Sequence, residues 1–134
     1  MTATVTYDAN LRTTCLHLQS GSIFETDAPS DNKGQGARFS PTDLIATGLG
    51  ACLITTMGIK AESMDLKLDG AKVEVTKVMM SEPRRIGKIV IAVTMPALNL
   101  DEKTKEILER VGRTCPVERS LHPDMELDIS FTWL

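Results

Sequence analysis

Apolar and polar residues alternate from the start of the chain. Val5 and Tyr7 fall on one side of a run that also contains Thr4, Thr6 and Asp8, and a second alternating run, Thr14 to Leu18, follows the turn-prone Asn10. Period-two patterning on both sides of a turn former predicts a β-hairpin. Cys15 is then a strand residue whose neighbours Thr14 and Leu16 point the other way, and its expected part is that of a small half-buried hydrophobe. Ser22 to Glu25 reads as a third strand. Residues 27–36 gather Pro29, Ser30, Asp31, Asn32, Gly34 and Gly36, a density of turn formers that predicts a loop.

The period changes at Ser40-Pro41. Ser is a candidate N-cap, Pro is preset for the first helical position, and Asp43 suits the positive end of the helix dipole. A helix is predicted from Pro41 to about Asp65, apolar nearly all round at its centre, and such a helix is expected to be buried on most sides. Its small residues Ala46, Gly48, Gly50 and Ala51 would let another helix approach closely. Each Gly costs a helix about 1 kcal/mol relative to Ala, so something must compensate at Gly48 and Gly50, either packing or chemistry. The apolar part, residues 43–60, is expected to be too short and too rich in Gly and Thr for the roughly 20 apolar residues of a membrane span.

Two strands follow, Ala71 to Ser81 with Val73, Val75 and Val78, and Lys88 to Met95 with Ile89, Ile91 and Val93, joined by a turn at Glu82 to Gly87. Pro96 ends the hairpin. Asp101 is placed to cap a helix over Glu102 to about Gly112, with Ile107, Leu108 and Val111 on its apolar stripe. Another helix is predicted to start at Thr114-Cys115-Pro116. Met125 to Trp133 alternates Leu127, Ile129, Phe131 and Trp133 against polar partners and is predicted as a last strand. Strands and helices that do not alternate strictly predict an α+β fold.

Composition narrows the function. With 134 residues one domain over 1–134 is expected, and 42% apolar with 25% charged residues is the make-up of a folded chain. Only 4% of residues are aromatic and the net charge is −3, which argues against stacking on bases or attraction to phosphates, so no nucleic-acid partner is expected. Residues 1–10 show no cationic start leading into an apolar stretch, so a cytoplasmic location is expected. Three cysteines, Cys15, Cys52 and Cys115, are an odd and widely spaced set that makes a poor disulfide framework.

Two of those cysteines have chemically distinct places. Cys115 stands at a predicted helix start, where unpaired amides and the dipole are expected to stabilise a thiolate. Cys52 lies mid-helix without that help and would need a cation such as Arg38 to be reactive; otherwise it is a small packed residue. Neither His17 nor His122 belongs to a metal or triad motif, and His122-Pro123-Asp124 is expected to form the turn before the last strand. Gly34 and Gly36 lack the spacing of a phosphate loop. No metal or organic cofactor is expected.

The segment Phe39-Ser40-Pro41-Thr42-Asp43-Leu44-Ile45-Ala46, followed by Gly48-Leu49-Gly50-Ala51-Cys52, resembles the central-helix signature of the OsmC/Ohr family. Thr114-Cys115-Pro116-Val117 resembles that family's second-cysteine segment, and the similarity extends along nearly the whole chain. The resemblance implies an OsmC-like fold, with antiparallel sheets around a long central helix in an intertwined homodimer. It implies a thiol-dependent peroxidase acting on organic hydroperoxides, with Cys52 matching the peroxidatic residue and Cys115 the resolving one, regenerated by an external thiol of dithiol or lipoyl type. One departure stands out. The family's carboxylate early in the central helix, which pairs with an arginine that steadies the thiolate, is replaced here by Thr42, and Asp43 is turned about 100° away on a helix. The arginine is either Arg12 or Arg38, with Arg38 preferred because it can lie over the helix start; Glu118 is a further carboxylate that would orient a cation. The departure also motivates an alternative, a non-enzymatic OsmC-like protein that binds a hydrophobic small molecule at the dimer interface.

Overall fold

A computed structural model describes residues 1–134, which divide into two compact units, residues 1–45 and 46–134. The first unit is an antiparallel sheet of β1 (Ala3–Ala9), β2 (Arg12–His17) and β3 (Ile23–Asp27), in that order. Ala9, Asn10 and Leu11 all take positive φ at the first turn, a conformation Asn tolerates better than most residues. The register places Val5 opposite Cys15 and Cys15 opposite Phe24, so these three share one face, and Cys15 is half-buried as expected. Val5, Tyr7, Ile23 and Phe24 remain exposed.

A long helix, α1 (Pro41–Glu62), begins at the end of the first unit and continues into the second. Its start is a reciprocal cap: Ser40 Oγ accepts the Asp43 N–H at 3.0 Å and Asp43 Oδ2 accepts the Ser40 N–H at 2.9 Å, which satisfies donors that a helix end leaves without partners. At 22 residues α1 is by length and apolar composition able to cross a membrane, which corrects the expectation that the segment is too short. Its residues are instead spent on a protein core. Ala46, Leu49, Gly50, Leu53, Met57 and Ala61 are buried, a spacing of three and four that marks one helical face. The expectation of burial on most sides is also corrected, because the opposite stripe of Thr47, Ala51, Thr55 and Ile59 is exposed.

The second unit adds β4 (Lys72–Met80), β5 (Arg85–Met95), α2 (Glu102–Gly112), α3 (Pro116–Ser120) and β6 (Glu126–Trp133). β5 is the central strand: β4 pairs with it antiparallel and β6 parallel. The α+β class is as predicted, but this sheet is mixed and not purely antiparallel. A parallel partner needs a crossover connection, and α2 and α3 supply it between β5 and β6. β5 also starts earlier than its alternation predicts. A register shift between Val78 and Met79 absorbs Gly87, where an added Cβ would strike the Met80 side chain; Val78, out of phase with Val73 and Val75 along β4, is exposed.

Leu49, Leu53 and Met57 of α1, Ile89, Ile91, Val93 and Met95 of β5, and Leu108 of α2 form one buried cluster that also contains Cys115. Gly50 explains half of the predicted glycine compensation: an added Cβ would stand 2.8 Å from Val75 Cγ2 and 3.2 Å from Val73 Cγ1, so its lack of a side chain lets α1 lie on β4. Nothing stands within 4 Å of the equivalent point at Gly48. Trp133 Nε1 donates to Glu109 Oε1 at 2.8 Å, tying the end of β6 to α2.

Candidate active site

Cys52 lies midway along α1, half-buried and packed against the core beside fully buried Leu53. Its carbonyl accepts the Thr56 hydroxyl at 2.8 Å. Cys115 is 0% exposed. It is the N-cap of α3, in extended conformation with Pro116 at the first helical position, and its Sγ accepts the Glu118 N–H at 3.4 Å. Both cysteines are free thiols; Cys115 is part of the buried core cluster, Cys52 packs against that cluster, and the Cys52 thiol acts electrostatically on Cys115. Residues from distant parts of the chain are thus brought together because α1 and the start of α3 pack into the same core cluster.

The expectation that a helix start lowers the Cys115 pKa is corrected. Burial pushes this thiol up, outweighing the Glu118 N–H that favours the anion, and the Cys52 thiol and the Glu118 charge push the same way as burial. The physical reason is scale. One amide and a helix of five residues offer a small dipole, whereas removing a thiolate from water is a large penalty. Burial therefore favours the protonated form of Cys115.

Glu118 sits one turn further along α3. Its Oε2 is buried and has no hydrogen-bond partner, and burial pushes its carboxyl pKa up against the opposing charges of Arg113 and Arg119. Arg113 is fixed by a 2.6 Å bond to the Ile129 carbonyl and by stacking over the Phe131 ring, 5.4 Å from its centroid. No motif marks Arg113 in the sequence. Its only local signal is a cation at the C-terminal end of a predicted helix.

The two arginines expected to serve the thiol are held by carboxylates of the first unit. Arg12 makes two bonds to Asp27, at 2.7 and 2.9 Å, and one to Gln35 at 3.4 Å. Arg38 is exposed, lies 3.5 Å from Glu25 and donates to the Ala37 carbonyl at 3.0 Å. Asp43 is engaged in the Ser40 cap, so its carboxylate serves the helix start. His122 Nδ1 accepts the Asp124 N–H at 3.1 Å in the turn before β6, as predicted. A cleft of about 730 Å³ in the second unit, lined by Ile54, Thr55, Gly58, Glu62 and residues 65–69, includes neither cysteine of the pair.

Residues 34–130 match the family model described as OsmC-like protein. The chain belongs to the OsmC-like family. Its structure superposes at a TM-score of 0.94 on a Psychrobacter arcticus 273-4 protein described as a candidate osmotic stress induced and detoxification response protein, with 46% identity over 98% of this chain and 96% of that one. The organic hydroperoxide resistance protein OsmC of Legionella pneumophila superposes at 0.72 with 17% identity, covering 97% of this chain and 94% of that one. OhrB of Bacillus subtilis, an organic hydroperoxide resistance protein, superposes at 0.68 with 18% identity, covering 98% of both chains. The two-sheet α+β architecture of this OsmC-like protein is the one these proteins share. A comparison with curated proteins gave no match.

Proposed function

We propose that this OsmC-like protein is a thiol-dependent peroxidase that reduces organic hydroperoxides, with the whole of residues 1–134 acting as one domain. The observation that carries the reading is that Cys52 packs against the core cluster in which Cys115 is buried. Half-buried Cys52 is the accessible member, and burial raises the pKa of the Cys115 thiol. As a thiolate, Cys52 attacks the distal peroxide oxygen and the O–O bond breaks. Cys52 becomes a sulfenic acid and the leaving alkoxide takes a proton to become the alcohol. Cys115 then attacks the Cys52 sulfur, an S–S bond forms and water leaves. An external dithiol, of lipoyl type, returns both cysteines to thiols while being oxidised to its own disulfide.

For the cation that holds the Cys52 thiolate we assign Arg38. Arg12 is committed to two bonds with a buried carboxylate, whereas exposed Arg38 has a 3.5 Å contact to Glu25 and a 3.0 Å bond to the carbonyl of its neighbour Ala37. The exposed α1 stripe of Thr47, Ala51, Thr55 and Ile59 and the exposed apolar residues of the β1–β3 sheet support a homodimer. The cytoplasm, with its reducing pool, suits a cycle regenerated by thiols. The alternative, a binder of apolar molecules, is less well supported: the large cleft carries Glu62, Asp65, Lys67 and Asp69 on its wall.

The test is the mass of alkylated protein before and after one equivalent of cumene hydroperoxide. Two thiols are expected to disappear, at Cys52 and Cys115 alone. Cys52→Ser should consume no peroxide, and Cys115→Ser should undergo one oxidation without forming a disulfide. Parent-like turnover by both variants would show the assignment to be wrong.

A further inference from the structure

We infer that the Glu118 carboxylate is the base that takes the Cys115 proton when Cys115 closes the disulfide; this rests on the peroxidase reading above. Cys115-Pro116-Val117-Glu118 has the spacing of a capping box, in which an N-cap side chain accepts the N–H of the third helical residue and the acidic side chain there reaches back to the N-cap N–H. Here only the first half is made. Cys115 Sγ accepts the Glu118 N–H at 3.4 Å, while Glu118 Oε2 is buried and makes no bond. A buried carboxylate oxygen left without a donor is costly, and a capping role does not account for it.

The surroundings suit a base. Glu118 is electrostatically linked to Cys115 on its own turn, and Cys52 of α1 packs against the core cluster that contains Cys115. Arg113, from the end of α2, and Arg119, on α3 itself, are the cations that face the carboxylate. Burial makes the group a stronger base than a solvated Glu, and the two arginines keep it ionised. Cys115 meanwhile holds its own proton and cannot attack until that proton is removed. As the Cys115–Cys52 bond forms and the S–O bond of the sulfenic acid breaks, the proton passes to Glu118 and on to the departing hydroxide, which leaves as water. No further oxidant or reductant enters this step.

The test uses the full chain in a Cys15→Ser background. Peroxide oxidation is followed by dimedone trapping of the Cys52 sulfenic acid and by disulfide formation. Separately, a Cys52 mixed disulfide with thionitrobenzoate reports Cys115 attack by chromophore release, without peroxide. Glu118→Gln should leave sulfenic acid formation within about twofold of the parent, yet slow both disulfide closure and chromophore release by about 100-fold, the scale of a lost general base. The acid limb of the closure pH profile should vanish in Glu118→Gln, leaving a rate that rises only as the thiol itself ionises, and Glu118→Asp should restore part of it. Chromophore release at the parent rate with the parent pH profile would overturn the inference. A parent inert to peroxide but with Glu118-dependent release would overturn the peroxidase reading and leave the base in place.

Discussion

Arg12 and Asp27 are Cα partners across the β2–β3 ladder, and the guanidinium binds both carboxylate oxygens, Nε to Oδ1 at 2.7 Å and a terminal nitrogen to Oδ2 at 2.9 Å. Asp27 is 1% exposed and also accepts the Ala37 N–H at 3.1 Å, so one side chain fastens strand, partner strand and returning loop. The bidentate bond to Arg12 holds the carboxyl below the usual carboxylate range.

Asp27→Asn should therefore lower the thermal midpoint by several degrees at pH 7. A carboxyl whose folded pKa is depressed stabilises the fold above its unfolded value, about 3.9, and loses that contribution as pH falls through the folded value. The parent should lose stability more steeply than Asp27→Asn below about pH 4. Thermal unfolding followed by circular dichroism from pH 2 to 7 checks this, and parallel curves would contradict it.

Cys115 should show the opposite sign. Its thiol pKa is raised by burial, so its contribution is complete below the unfolded value of about 8.5 and is lost as pH rises through that value toward the folded one. Under reducing conditions the parent should lose thermal stability between about pH 8 and 10, and Cys115→Ala should lose less over the same interval. Equal losses in the two proteins would mean that the buried thiol is not responsible.

Gly50 tests the seat of α1 on β4. A methyl group there meets the β-branched Val75 and Val73 at 2.8 and 3.2 Å, and such side chains have little rotamer freedom. Overpacking costs about 1–3 kcal/mol, and the better helix propensity of Ala returns about 1 kcal/mol. Gly50→Ala should be destabilising by up to about 2 kcal/mol in urea unfolding; a more stable variant would show that β4 gives way.

Ala51 tests the proposed dimer. It lies at the middle of the exposed α1 stripe, so Ala51→Arg should convert a dimeric parent to monomer in sedimentation velocity at micromolar concentration. A parent that sediments as a monomer would remove the homodimer.

Much of this protein was legible as a sequence because the signals are local. Alternation predicted β1 to β6 to within a few residues, Ser40 and Asp101 announced the starts of α1 and α2, and the two cysteine segments were matched to a family by motif. The pairing partners were not legible: Met125 to Trp133 alternates in the same way whether its neighbour runs parallel or antiparallel, and the crossover through α2 and α3 decided the matter. Asp27 reads as a loop residue in the sequence because its partner, Arg12, becomes visible only through the register.

By itself the sequence determined the periods, the caps and the position of a cysteine at the head of a helix. Tertiary structure alone decided that this cysteine is buried in the core cluster against which Cys52 packs, that burial raises its thiol pKa, and that one carboxylate oxygen of Glu118, on the same turn, is buried without a hydrogen bond. The reason is physical: helix and strand periods and caps depend on neighbours a few residues away, whereas desolvation and charge pairing depend on whatever distant residues the fold sets opposite.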